Sequence, residues 1–114
     1  MINGIEWKDQ FLNKTIDVIV SETEEGIQVL VAGGDKSHIG AVCIMDPDGN
    51  RATHCFRSHR DDVVAQKWAA ELYKKTKKAV VVSAGIHYDH ISSEEIKQIL
   101  EKTDALLKNV LERI

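Results

Sequence analysis

Between Ala79 and Gly85 the chain reads Ala-Val-Val-Val-Ser-Ala-Gly, with no charge in the run. Seven residues is strand length, and a strand apolar on both faces belongs inside a sheet, with neighbours on either side. Helical periodicity flanks it. From about Asp61 to Thr76, Val64, Ala65, Trp68, Ala69 and Leu72 recur at spacings of three and four, which predicts a buried stripe. Asp61 and Asp62 suit the positive end of that helix, and the Lys-Lys-Thr-Lys-Lys cluster suits its negative end. After the strand, Ser92 followed by Glu95 forms a capping box that opens a last helix. Its apolar band runs through Ile96, Ile99, Leu100, Thr103, Leu106, Leu107, Val110, Leu111 and Ile114. That band is wide for one helix of so small a domain. Either it lies across the sheet, or part of it meets a partner such as a second copy of the chain.

The first half of the chain carries strand signals. Ile16, Val18 and Val20 alternate with polar Asp17 and Ser21, Ile19 being the exception. An acidic turn leads to a second strand, Ile27 to Ala32, and residues 40–46 give a third. Asp46-Pro-Asp-Gly-Asn50 is the clearest hairpin signal, with proline and glycine where a turn needs them. Arg51 to Arg57 returns as the fourth strand, His54 sharing a side with Ala52 and Phe56 as a structural histidine. Residues up to Asn13 hold Ile5, Trp7, Phe11 and Leu12 without a clean period, which fits an irregular cover or an extra edge strand. The expected order is ββββαβα: one α+β domain over residues 1–114. In it a four-strand meander belongs to a mostly antiparallel sheet with both helices packed on one face.

Composition excludes some partners. The 114 residues are enough for one hydrophobic core, with 43% hydrophobic and 29% charged residues. A net charge of −3 and a pI near 5.9 remove the usual electrostatic drive toward nucleic acid. No apolar run approaches the roughly 20 residues of a membrane span, and the N-terminus lacks a signal pattern. Cys43 and Cys55 have no Cys-x-x-Cys spacing and read as small half-buried hydrophobes, so the expected location is cytoplasmic.

Chemistry-bearing residues gather just after two of the most apolar segments. In Gly33-Gly34-Asp35-Lys36-Ser37-His38-Ile39-Gly40, the glycines permit close approach to the main chain, and successive N–H groups in such a turn can form an anion-binding concavity. It is neither a Walker loop nor a dinucleotide fingerprint, and it reads equally well as a loop in which Asp35 and Ser37 satisfy local turns. Arg57, Ser58, His59 and Arg60 precede a helix N-terminus, a setting that attracts phosphate, although Ser58 or Asp61 as a simple cap fits as well. In Gly85-Ile-His-Tyr-Asp-His90, His87 and Asp89 project to one side of an extended segment. With His38 and His90 they are candidate ligands for Zn²⁺ or another divalent ion, or candidate acid–base groups. The alternative is an Asp89 that merely orients a histidine and helps start the last helix. The expectation linking these segments is geometric: the two turns fold side by side into a pocket lined by His38 and His87.

The segments GGDKSHIGAV and AGIHYDHIS resemble the two signatures of the LpdD-like family. Its members are small proteins or C-terminal domains encoded beside gallate-type decarboxylases of the UbiD family. The resemblance implies a proteasome-assembly-chaperone-like fold. It also implies a chaperone for prenylated flavin mononucleotide (prenylated FMN) that serves a UbiD-type decarboxylase without turnover of its own. Residue by residue it points to Gly33, Gly34, Asp35, His38, Gly40, Gly85, His87 and Asp89, and more loosely to His59 and Arg60. In the family pattern proline often stands where Ser37 is, and asparagine where His90 is. A bound flavin would place its phosphate at the glycine turn and Arg57 or Arg60, with Trp7, Tyr88 and Ile39 as candidate walls. Two other classes stay open: a small metal-dependent enzyme using His38, His87, Asp89 and His90, and a homodimeric assembly chaperone with no small ligand.

Overall fold

Alternation and helical period translate directly into elements in the computed structural model, which describes residues 3–56 and 60–114. Among the described residues the order is β1 (Asn3–Phe11), β2 (Lys14–Glu22), β3 (Gly26–Gly34), β4 (Ala41–Met45), β5 (Arg51–Cys55), α1 (Asp62–Thr76), β6 (Ala79–His87) and α2 (Ser93–Arg113). The N-terminal residues are thus a full edge strand. Trp7 and Phe11 on its inner side pack against the core, which explains apolar residues there.

The strands form one sheet in the order β1-β2-β3-β6-β4-β5. The uncharged run at 79–85 is interior as its composition requires: β6 pairs parallel with β3 and antiparallel with β4. This overturns the four-strand meander. Only β1-β2-β3 and β4-β5 are sequential antiparallel neighbours, because β6 is inserted between β3 and β4. A later strand that claims the edge of β3 is non-local information, invisible to the turn that leaves β3.

One face of the sheet carries the core. Ile16, Val18 and Val20, then Val29 and Val31, Val80 and Val82, and Ala41 and Cys43 are buried there. Against them lie the five residues of the predicted α1 stripe. From α2 the buried residues are Ile99, Thr103, Leu106, Leu107 and Val110. Leu111 and Ile114 pack at the margin of the core, while Ile96 and Leu100 stay 48% and 37% exposed. The wide apolar band of α2 is therefore shared between the sheet and a groove described below. Its capping box forms as expected, with Ser92 Oγ accepting from Glu95 N–H and Glu95 Oε1 from Ser92 N–H. In the 46–50 turn, Asp46 Oδ1 accepts the N–H groups of Asp48 and Asn50, both at 2.9 Å. These bonds, the one to Asn50 foremost, hold the Asp46 carboxyl below its ordinary pKa.

Cys43 is buried and Cys55 half-buried. His54 departs from expectation. It is exposed and meets Phe56 edge-on at 4.6 Å, because β5 is an edge strand whose outer face no helix covers. Among the described residues no helix is long and apolar enough to cross a membrane.

Candidate functional site

Since β6 lies between β3 and β4, the link 35–40 must pass over the end of β6 to join them. β3 and β6 run parallel, with Gly34 beside His87, so both sequence-predicted turns leave the sheet at the same end. That crossing accounts for the glycines. The His38 carbonyl lies against Gly85 where a Cβ would sit, and the His87 carbonyl lies against Gly34 in the same way. Gly34 also has φ +89°, a conformation that side chains resist. Gly33, near the end of β3, lies against the Thr15 and Ile16 backbone, and Gly40 faces the Asp61 carboxylate.

Hydrogen bonds then tie the loop to the strand. Asp35 N–H donates to the His87 carbonyl at 2.7 Å, and Gly40 N–H to the Ala84 carbonyl at 2.8 Å. The Asp35 carboxylate accepts the Asp89 N–H at 2.9 Å. The N–H groups of Asp35, Lys36 and Gly40 point at β6 carbonyls, so they do not converge on a ligand phosphate.

The two turns lie side by side, but the expected shared pocket is not formed by both imidazoles: His87 lines the groove described below and His38 is not among its lining residues. The His38 and His87 rings lie 6.3 Å apart between centroids at 78°. His38 Nδ1 is 3.2 Å from the Lys36 carbonyl, and its Nε2 is 3.2 Å from Asp61 Oδ2. Asp61 Oδ1 accepts the Ile86 N–H at 3.1 Å. Asp61 is only 9% exposed and makes no side-chain cap for α1. Its carboxylate instead joins the loop, β6 and the start of α1. Sequence reasoning treated Asp61 as a helix-end acid, and nothing in its local pattern separates the two roles.

His87 Nε2 is 2.9 Å from Asp89 Oδ1. That hydrogen bond, reinforced by the charges of His87, His90 and Lys36, lowers the Asp89 carboxyl pKa from its ordinary value. Whatever Asp89 contributes is therefore present above the ordinary carboxylate pKa of about 3.9 and lost as pH falls through the lowered value. Titration of the Asp89 carboxyl carbon by NMR should give a midpoint below that ordinary value, and His87→Ala should move it upward. An unchanged midpoint in the variant would show that the pair is not formed in solution.

The remaining candidates are placed less centrally. Arg60 is exposed beside Asp62, with Nε 3.9 Å from Oδ1. His90 is exposed with φ 54° and joins neither histidine–aspartate pair. Arg57 and His59 lie outside the described residues. The set His38, His87, Asp89 and His90 is not gathered around a metal: among the described residues, no three His, Cys, Asp or Glu side chains are arranged to hold one. The fold makes pairs, His38–Asp61 and His87–Asp89.

Beside these pairs runs a groove of about 270 Å³. Arg60, Asp61 and Val64 come from the start of α1, and Ile86, His87 and Tyr88 from the end of β6. Ile91, Ile96, Ile99 and Leu100 complete it from the approach to α2 and its first turns. Tyr88 is a fixed wall: its hydroxyl donates to the Phe11 carbonyl at 2.9 Å and its ring meets Phe11 edge-on. Burial, with Asp35 nearby, raises its phenol pKa. Of the other proposed walls, Trp7 packs on the core and Ile39 is 52% exposed, and neither lines the groove. The apolar lining from α2 was missed because Ile96 and Leu100 look like core residues in a helical stripe.

The family model for the prenylated flavin chaperone LpdD-like domain matches residues 10–114. The chain belongs to this family. The Protein LpdD of Lactiplantibacillus plantarum is 25% identical over 88 residues, an alignment covering 73% of this chain and 65% of that protein. The chain therefore matches just under two thirds of that relative's length. Among solved structures, a chain from a chaperone complex for yeast 20S proteasome assembly superposes with a TM-score of 0.58 at 18% identity. The match covers 96% of this LpdD-like chain and 98% of the other. At that identity the likeness shows the fold, which is the one expected.

Proposed function

We propose that this chain binds prenylated FMN in the groove at the end of β6 and hands it to a UbiD-type decarboxylase. The observation that carries the reading is the groove itself: apolar walls from Ile86, Ile91, Ile96, Ile99 and Leu100, with His87 and Arg60 among its polar lining residues. Such a lining suits a flat, largely apolar ring system bearing an anionic tail. At about 270 Å³ the groove is near the lower end of small-molecule sites, so it fits the prenylated ring better than a whole nucleotide. The Arg60 guanidinium would take the phosphate, since the N–H groups of Asp35, Lys36 and Gly40 are already given to β6 carbonyls. His87, held by Asp89 through Nε2, would offer its other ring nitrogen to the polar edge of the ring, while His38, with Lys36 and Asp61 against its two nitrogens, would hold the loop and Asp61 in place behind the groove.

Prenylated FMN would supply its chemistry in the decarboxylase; here the chain's residues bind and orient it. A groove open to solvent suits transfer, since release needs no domain to open. The test is titration of the purified chain with prenylated FMN, followed by absorbance and fluorescence. Saturable binding is expected, weakened about tenfold or more by His38→Ala or His87→Ala in variants that remain folded by circular dichroism. Absence of binding at high micromolar cofactor would overturn the proposal.

A further inference from the structure

The loop 35–40 is fastened by its backbone at both ends and by one side chain in the middle. Asp35 is tied to the His87 carbonyl and the Asp89 N–H, and Gly40 N–H to the Ala84 carbonyl. The Gly40 carbonyl in turn accepts the Phe56 N–H at 2.7 Å. Between these ends Lys36, Ser37 and Ile39 are exposed, and only His38 turns inward. Its two ring nitrogens face two oxygens: Nδ1 the Lys36 carbonyl and Nε2 the Asp61 carboxylate, each at 3.2 Å. Neither a carbonyl nor a carboxylate can donate, and a neutral imidazole carries a single N–H. A neutral ring therefore sets a lone pair against an oxygen at one of the two contacts. The imidazolium, with an N–H on each nitrogen, suits both. Asp61 is not at liberty to swing away, because it is buried and its Oδ1 holds the Ile86 N–H at 3.1 Å.

We infer that residues 36–39 form a pH-sensitive latch, closed over β6 while His38 carries two protons and released when it gives one up. The charges around the ring set the sign. Asp61, at the start of α1, faces Nε2 directly and favours the cation. His87 of β6 lies 6.3 Å away between ring centroids and is itself held by Asp89. Asp35 of the loop is 3.8 Å from Lys14 of β2, and Arg60 is 3.9 Å from Asp62, so these charges are already paired. Lys36 is exposed, and β4, which continues from the loop, contains no charged residue. The latch therefore holds where His38 is charged and Asp61 ionised, and it weakens as pH rises through the histidine range of about 5 to 8. Asp61 also lines the groove. Loss of the His38 proton thus loosens the loop and leaves an uncompensated carboxylate beside the groove, which disfavours an anionic occupant. No bound ligand takes part in the latch, so it stands or falls apart from the flavin reading.

The test is amide hydrogen exchange of the full chain without ligand, followed by NMR and corrected for the intrinsic pH dependence of exchange. Protection of the Gly40 N–H should fall about tenfold or more between about pH 5.5 and 8.5, while the β2–β3 amides keep theirs. The fall should share its midpoint with the His38 ring, titrated through its nitrogen signals in the same samples. His38→Gln keeps a donor for Asp61 that does not titrate, and should leave Gly40 protected across the whole range. His87→Ala and His90→Ala should retain the fall. The shared midpoint needs no variant and decides the matter should His38→Gln fail to fold. Gly40 protection independent of pH in the unmodified chain, a midpoint that departs from that of His38, or a fall that survives in His38→Gln or vanishes in His87→Ala would overturn the latch.

Discussion

Gly85→Ala should lower stability by about 2–4 kcal/mol and abolish binding in the groove. The added methyl would overlap the His38 carbonyl and stand 3.0 Å from the Ile39 nitrogen. All of these are backbone atoms, so no rotamer relieves the clash. β6 is held on both sides by β3 and β4, and the loop 35–40 is the part that must lift. Lifting it breaks the Gly40–Ala84 hydrogen bond and separates His38 from Asp61. A neutral hydrogen bond is worth about 1 kcal/mol and one to a charged group about 1.5–3. For a domain near 100 residues, that predicts a fall in melting temperature of about 10 °C or more. Amide shifts should change at 36–40 and 84–87 while the β1–β2 hairpin keeps its spectrum. A melting temperature within about 2 °C of the unmodified chain would mean that the loop does not rest on β6.

Asp61→Ala should have the next largest effect. It strips the acceptor from the Ile86 N–H and the partner from His38. A buried donor left without a partner costs about 1–3 kcal/mol, and the lost contact to the imidazole adds to it. Asp61→Asn separates the two roles. Its amide oxygen can still accept from Ile86, so most of the stability should return, whereas a carboxylate for His38 does not. Denaturant midpoints should therefore rank the unmodified chain above Asp61→Asn, and Asp61→Ala lowest. Prenylated FMN affinity should fall in both variants. Equal midpoints for asparagine and alanine would show that the Ile86 bond contributes little.

Local physics made much of the fold readable. The α1 stripe, the Ser92–Glu95 cap, the Asp46–Asn50 turn and the uncharged core of β6 each follow from residues within a few positions of one another. The pairing of the two turns was also legible, because glycine and histidine recur after two strands that both need burial. What stayed hidden depends on distant partners. The Gly40 N–H looks free until Ala84, 44 residues later, is found to accept it. Asp61 looks like a helix-end acid until His38 and Ile86 arrive beside it. Ile96 and Leu100 look like core until α2 is seen to turn them away from the sheet.

The late insertion of β6 has a bearing on biosynthesis. On a ribosome, β3 and β4 emerge well before the strand that fills the slot between them. Until residues 79–100 have cleared the exit tunnel, the His38 loop has nothing to lie across and the groove lacks most of its walls. The groove is thus assembled late, and a chain stopped before α2 would lack the walls that Ile96, Ile99 and Leu100 provide.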